Sequence, residues 1–244
     1  MKSLLILKVG DAFPEVVRDH GDFETLFQKA LVEKGFTASV FDPRTGDALP
    51  DPGTIGGLFI TGSHSMVSER EPWSEALKPW LRKARDADVA MLGVCYGHQL
   101  MAAAFGGHSD FHPAGRESGT HEVCLTKLGR SDPLLGTLPE RFSAHLTHAQ
   151  SVLEPPAGAA ILASNAHDPH QALRYGRRQW SVQFHPEFTP PVMRAYLERQ
   201  RAPLRDLGRN PQELIDRVTV TPEAGQLLTR FAQMVVDLGD LKHP

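Results

Sequence analysis

The chain of 244 residues is poor in the features that would give it an easy assignment, and each shortage excludes something. Only two cysteines occur, Cys95 and Cys124, so no disulfide framework organises the fold. No apolar run approaches the length of a membrane span, and Met1–Lys8 carries just four apolar residues in a row before a charge, too few for a signal peptide. Like charges never run to five, and 26 Lys plus Arg against 29 Asp plus Glu leave a formal charge of −3, which points away from nucleic acid and anionic membranes. A Gly-x-x-x-x-Gly-Lys loop is missing, which speaks against ATP binding. The 12 histidines include neither a His-Glu-x-x-His helix nor a partner for a Cys-x-x-Cys knuckle. His108, His112 and His121 fall in a loop-like region, His167 and His170 in a turn, and His145 and His148 on opposite faces of a strand. No metal, no cofactor and a reduced cytoplasmic setting are therefore expected. Internal repeats and low-complexity segments are absent too.

What is present centres on Val89-Ala-Met-Leu-Gly-Val-Cys95-Tyr-Gly-His-Gln99. An apolar strand meets two glycines with a cysteine between them and then continues into a helical pattern. Gly-x-Cys-x-Gly is the cysteine form of the nucleophile elbow, a strained turn whose small neighbours let the chain fold back closely. A helix N-terminus favours the thiolate, the reactive form of cysteine. The amide of Tyr96 is positioned to face a developing oxyanion. The same five residues are also compatible with an ordinary strand end whose cysteine is a small buried apolar residue.

A base decides between these readings, and one occurs in Gln179-Trp-Ser-Val-Gln-Phe-His185-Pro-Glu187-Phe188. Trp180, Val182 and Phe184 alternate with polar residues as in a strand that delivers His185 to its C-terminal end. Residues two apart share a face of an extended segment, so Glu187 is expected to hold one ring nitrogen of His185 and leave the other for Cys95. Cys95, His185 and Glu187 then form a triad defined by role. Cys124, in the strand-like run Val123-Cys124-Leu125, is expected to be a core filler, and His98 a helix-packing residue.

Together, Gly93–Gln99 and Val182–Glu187 resemble the signatures of the class I glutamine amidotransferase family, in particular its free-standing group similar to the amidotransferase domain of GMP synthase. The resemblance covers residues from about 40 to 190. It implies glutamine hydrolysis through a thioester on Cys95, with His185 as general acid and base and Glu187 orienting it. Gln99 is implied to contact the substrate amide. Ile55-Gly-Gly-Leu-Phe-Ile-Thr61-Gly62-Ser63 resembles the family's second oxyanion loop, with Gly62 or Ser63 supplying the amide. Three positions depart from the pattern: Thr61-Gly62-Ser63-His64 replaces Gly-Gly-Pro, Gln150 stands for an acid in Ala144–Val152, and Thr120 follows Gly115-Arg-Glu-Ser-Gly119 in place of an aromatic. If the missing acid serves a substrate ammonium, Gln150 shifts specificity or weakens glutamine binding.

The length suits one α/β domain over 1–244, with 191–244 a C-terminal helical segment packed on it. Strands are expected at Leu4–Leu7, Thr37–Phe41, Gly57–Ile60 and Val89–Val94, and helices near Phe23–Lys34 and Trp73–Asp86. This is the succession of an open, doubly wound, mainly parallel flavodoxin-like sheet flanked by helices. Closer-spaced strands at 121–128, 142–147, 160–164, 171–175 and 179–184 imply some antiparallel strands. A helix follows Pro190-Pro191 to about Arg201, then a turn-rich link over 203–211. Thr221-Pro222 reads as the start of a last helix with an apolar stripe of Leu227, Leu228, Phe231, Val235 and Leu238.

Three functions fit. A glutamine amidotransferase would release glutamate and ammonia, and would need a separate synthetase or acceptor subunit. By contrast, a γ-glutamyl peptidase would use the same acyl chemistry alone. A non-catalytic binding relative is disfavoured because all three triad residues are present.

Overall fold

The computed structural model describes residues 3–239, so positions 240–244 of the C-terminal segment lie outside the described residues. Eleven strands are seen among them: β1 (Ser3–Leu7), β2 (Ala38–Phe41), β3 (Ile55–Ile60), β4 (Ala90–Val94), β5 (His108–Phe111), β6 (Glu117–Leu125), β7 (Arg141–His148), β8 (Gln150–Glu154), β9 (Ala160–Ser164), β10 (Ala172–Arg174) and β11 (Gln179–Val182). Nine form one sheet in the order β2-β1-β3-β4-β11-β10-β9-β6-β7, while β5 and β8 pair separately. The pairings from β2 to β11 are parallel and those from β11 to β7 antiparallel. Only β10 and β6 run against the rest, as the mainly parallel expectation requires.

Strands buried on both faces have no polar side to show, which is why their sequences are continuously apolar. Leu4 and Ile6 enter one core with Phe27 and Leu31 of the helix Phe23–Val32 and Phe231 of the helix Leu227–Asp237. Leu5 and Leu7 enter the opposite core with Leu77 and Leu81 of the helix Pro72–Asp86. Gly57 lets the last helix come close: a Cβ there would lie 2.8 Å from Leu4 Cδ2 and 3.0 Å from Val235 Cγ2.

Several expectations are corrected. The strand expected at 121–128 occupies Glu117–Leu125, because the Thr126 hydroxyl accepts from the Gly129 amide and starts a helical turn at Lys127. The loop expected around His108 is β5, held by β8, which the sequence reading missed along with the helix Pro14–His20. The link over 203–211 contains most of the helix Arg201–Asp206, and Asn210 caps a further helix, Pro211–Asp216. Pro203 fits the first of these because first-turn amides have no intrahelical partner to lose. Thr221 makes no side-chain cap, and the final helix is split into Pro222–Gly225 and Leu227–Asp237. Leu227, Leu228, Phe231 and Val235 are buried, whereas Leu238 is half exposed. Among the described residues, no helix is long and apolar enough to cross a membrane.

Candidate active site

Parallel pairing of β4 with β11, Val94 opposite Val182, brings the two signature segments to one edge of the sheet. Cys95 follows β4 directly and caps the helix Tyr96–Ala104, with φ 53° and ψ −103°. A non-glycine residue at positive φ is strained unless its surroundings hold it there. The Cys95 amide does so by donating to Val182 O at 2.9 Å. The flanking glycines are required sterically. A Cβ on Gly93 would lie 2.7 Å from the Gly97 carbonyl, and one on Gly97 would lie 2.6 Å from Ile60 O.

His185 stands three residues beyond β11, its amide donating to His145 O at 2.9 Å. The strand ends at Val182, so the extended segment expected through residue 184 is not what pairs His185 with Glu187. A turn closed by the Phe188 amide on His185 O does it instead. His185 Nδ1 lies 2.7 Å from Glu187 Oε1, and both side chains are buried. The ring is sandwiched near Phe188 and Phe23, with centroids at 4.1 and 6.2 Å. Among the described residues, its Nε2 has no hydrogen-bond partner. Burial disfavours the imidazolium, but the negative charges of Glu187 and then Cys95 outweigh it and push the pKa up to about 10.

The third segment is tied to the elbow through Thr61, whose carbonyl accepts from the Gly97 amide at 3.2 Å and whose hydroxyl accepts from the Val9 amide at 3.1 Å. Gly62 thereby lies against His185, and a Cβ on it would stand 3.1 Å from His185 Cε1. Ser63 lines the same cavity as Cys95 and accepts from the Ser65 amide. Tyr96, the first residue of its helix, has an amide with no partner four residues back in the helix. Its hydroxyl points away, donating to Ser74 Oγ at 2.7 Å.

Cys95, His185, Gln99, Gln150, Arg116 and Tyr196 border a cavity of about 130 Å3. Gln99 is less free than a substrate contact requires: its amide nitrogen donates to Gln150 O at 2.6 Å and Gln183 Oε1 at 2.9 Å. The Gln150 side chain is turned to Ser68, bonding both its hydroxyl and its amide. Glu187 does not itself border the cavity and reaches it through His185.

Tyr196 carries no signal in the sequence, entering from the helix Pro190–Arg199, whereas Arg116, just before β6, falls in the family-like segment Gly115–Gly119 without being marked there as a site residue. Arg116 is half-buried, and burial holds its guanidinium below an arginine's ordinary range while the charge of Cys95 opposes that shift. Burial likewise raises the Tyr196 phenol above its usual range, and among the described residues its hydroxyl has no partner.

Two residues expected outside the site are also located. His98 is buried with Nδ1 2.7 Å from Ser181 Oγ, and burial pushes its pKa down to about 3, in keeping with a packing role. Cys124 is not a core filler. It is half-buried on the last part of β6, with its thiol 3.8 Å from Glu122 Oε1 and facing a second cavity, because that end of the strand borders a gap under the C-terminal helices. Among the described residues, no group of three or more His, Cys, Asp or Glu side chains is placed to hold a metal ion.

Comparison with known proteins shows the family and the fold. The family model described as glutamine amidotransferase class-I matches residues 16–202. The chain is 32% identical over 174 residues to GMP synthase [glutamine-hydrolyzing] of Aeropyrum pernix, covering 70% of this chain but only 32% of that protein. One of the subunits of GMP synthase [glutamine-hydrolyzing] from Natronomonas pharaonis is 32% identical over 173 residues, covering 70% of this chain and 86% of that relative. A γ-glutamyl-L-1-hydroxyisopropylamide hydrolase from a Pseudomonas species is 31% identical over 163 residues, covering 60% of this chain and 55% of that enzyme. A glutamine amidotransferase structure from Thermotoga maritima superposes with a TM-score of 0.77 at 18% identity, covering 96% of this chain and 99% of the other.

Proposed function

This chain belongs to the class I glutamine amidotransferase family, and on that premise we propose that it is a thiol hydrolase that cleaves the side-chain amide of glutamine, releasing glutamate and ammonia. One observation carries the reading: Cys95 at strained positive φ and His185, held by Glu187 at 2.7 Å, share one small cavity.

Cys95 Sγ attacks the amide carbon, and the carbonyl π electrons move to oxygen as the S–C bond forms. The Tyr96 amide and an amide of Gly62 or Ser63 face the oxyanion, where pre-aimed donors contribute most of the stabilisation. Collapse breaks the C–N bond, and His185 delivers its proton to the leaving nitrogen. Water then attacks the thioester as His185 takes a proton from it. The new C–O bond replaces C–S, the sulfur leaves as thiolate, and the thiolate–imidazolium pair from which the cycle began returns. Glu187 acts through His185, fixing the ring and favouring its charged form.

If the ammonia is passed on, we propose that a separate subunit holds the acceptor site. The similarity to a Natronomonas protein that is itself one of the subunits of GMP synthase supports that arrangement. A second reading, hydrolysis of γ-glutamyl amides without a partner, is favoured by the similarity to the Pseudomonas hydrolase and by Gln150 in place of an acid. Glutamate and ammonia release by the purified chain, with Cys95→Ala as control, tests the chemistry. Turnover of glutamine or a γ-glutamyl amide that vanishes in the variant supports it, and turnover that survives the variant overturns the thioester mechanism.

A further inference from the structure

A cavity of about 130 Å3 holds little more than the volume share of roughly four waters, enough for the acyl part of a glutamyl substrate and not for a bulky amine. A second cavity of about 570 Å3 shares Arg116 with it and falls in the size range of small-molecule sites. The carboxylates in its wall are already satisfied. Buried Glu117 faces His148 Nε2 at 3.0 Å and accepts from Asn165 at 2.7 Å and Gln171 at 3.1 Å. Glu122 accepts from Arg141 at 2.9 Å.

The cations are not satisfied. Arg116, half-buried, and Arg209, exposed, both line this cavity, and among the described residues neither guanidinium makes a hydrogen bond or ion pair. Half-burying a guanidinium without a partner costs free energy that a bound anion recovers, and its planar fork matches a carboxylate.

We propose that this second cavity is the leaving-group site of a γ-glutamyl hydrolase and that it selects amines carrying a carboxylate, held by Arg116 and Arg209. The preferred substrates are then γ-glutamyl amino acids. The proposal rests on the acyl chemistry at Cys95 and adds the identity of the amine. Arg116, at the wall of both cavities, marks where the scissile amide passes from one to the other.

The test compares γ-glutamylglycine with γ-glutamylmethylamide, the same compound without the carboxylate. The wild-type chain is expected to favour the first by about tenfold or more in kcat/KM, as a charge-assisted hydrogen bond implies. Arg209→Gln and Arg116→Gln are expected to collapse that ratio whatever they do to either rate alone. Equal kcat/KM values in the wild type, or an unchanged ratio in Arg209→Gln, overturn the proposal. So does turnover of glutamine with none of γ-glutamylglycine, which leaves the glutaminase reading standing. If nothing is turned over, the acyl chemistry has failed and calorimetric binding to Cys95→Ala decides: tighter binding of γ-glutamylglycine, lost on adding Arg209→Gln, supports the site, and equal or absent binding overturns it.

Discussion

Cys95 and His185 meet because Val94 and Val182 are paired neighbours on parallel strands, so each candidate leaves the sheet at the same edge, one residue past its strand and three past the other. Ligands of open α/β sheets bind beyond the C-terminal ends of the strands, and this pairing is the local reason here. The edge also sets the sign of the electrostatics, since His185 is enclosed by the charges of Glu187 and Cys95 and by aromatic rings.

Strain at Cys95 predicts an inverted ranking of substitutions. Cys95→Ala and Cys95→Gly should both lower turnover by at least about 10⁴-fold. Glycine usually destabilises relative to alanine, but at φ 53° it relieves the backbone. Cys95→Gly should therefore be the more stable variant by about 1–3 kcal/mol in urea unfolding. A less stable glycine variant would show that the turn is not strained.

Glu187→Gln should act through the titration of His185. The folded-state pKa of about 10 lies above the usual 6.5, so the pair contributes stability that is full below pH 6.5 and is lost as pH rises through about 10. Removing the Glu187 charge lowers the His185 pKa, so the alkaline limb of the kcat/KM profile should move to lower pH and the stability gained on acidification should shrink. Activity near neutrality should fall by about 10²–10⁴-fold, less than for His185→Ala. An alkaline limb that stays in place would remove Glu187 from the mechanism.

Gly62→Ala places a methyl 3.1 Å from His185 Cε1 and should turn the ring away from Cys95. The expected result is a fall in kcat larger than any rise in KM, with a melting temperature close to that of the wild type. A drop in melting temperature with kcat preserved would assign Gly62 to packing alone.

Phe231→Ala tests whether the C-terminal helix is integral to the fold. The ring is fully buried against Phe59 at 5.0 Å and Trp180 at 6.4 Å between centroids. Its loss should cost about 3–5 kcal/mol in a single unfolding transition. A separate early transition would mean that the segment is an appendage.

Much of the site was legible because local chemistry fixes it. Positions 93 and 97 have no room for any side chain, and a cysteine between two such glycines, with a histidine and a glutamate at the end of another strand, points to a nucleophile. His185-Pro186-Glu187 is legible as a pair, although a turn and not a strand joins the two, because an i, i+2 relationship survives in a turn as in a strand. Tyr196, the exposure of Cys124 and the place of Arg116 at the site were not legible. Each depends on which distant element lies opposite, such as the C-terminal segments over β6.

By itself the sequence determined the family, the alternation of strands and helices, and the residue types at the elbow, since these follow from side-chain size, periodicity and backbone freedom within short windows. The tertiary structure alone decided that β11 lies beside β4, that Thr61 ties the second loop to the elbow, and that two arginines far apart in sequence border one cavity. Those outcomes rest on long-range pairing and packing, where the favourable partner of a residue is chosen by the whole chain and leaves no trace in its neighbours.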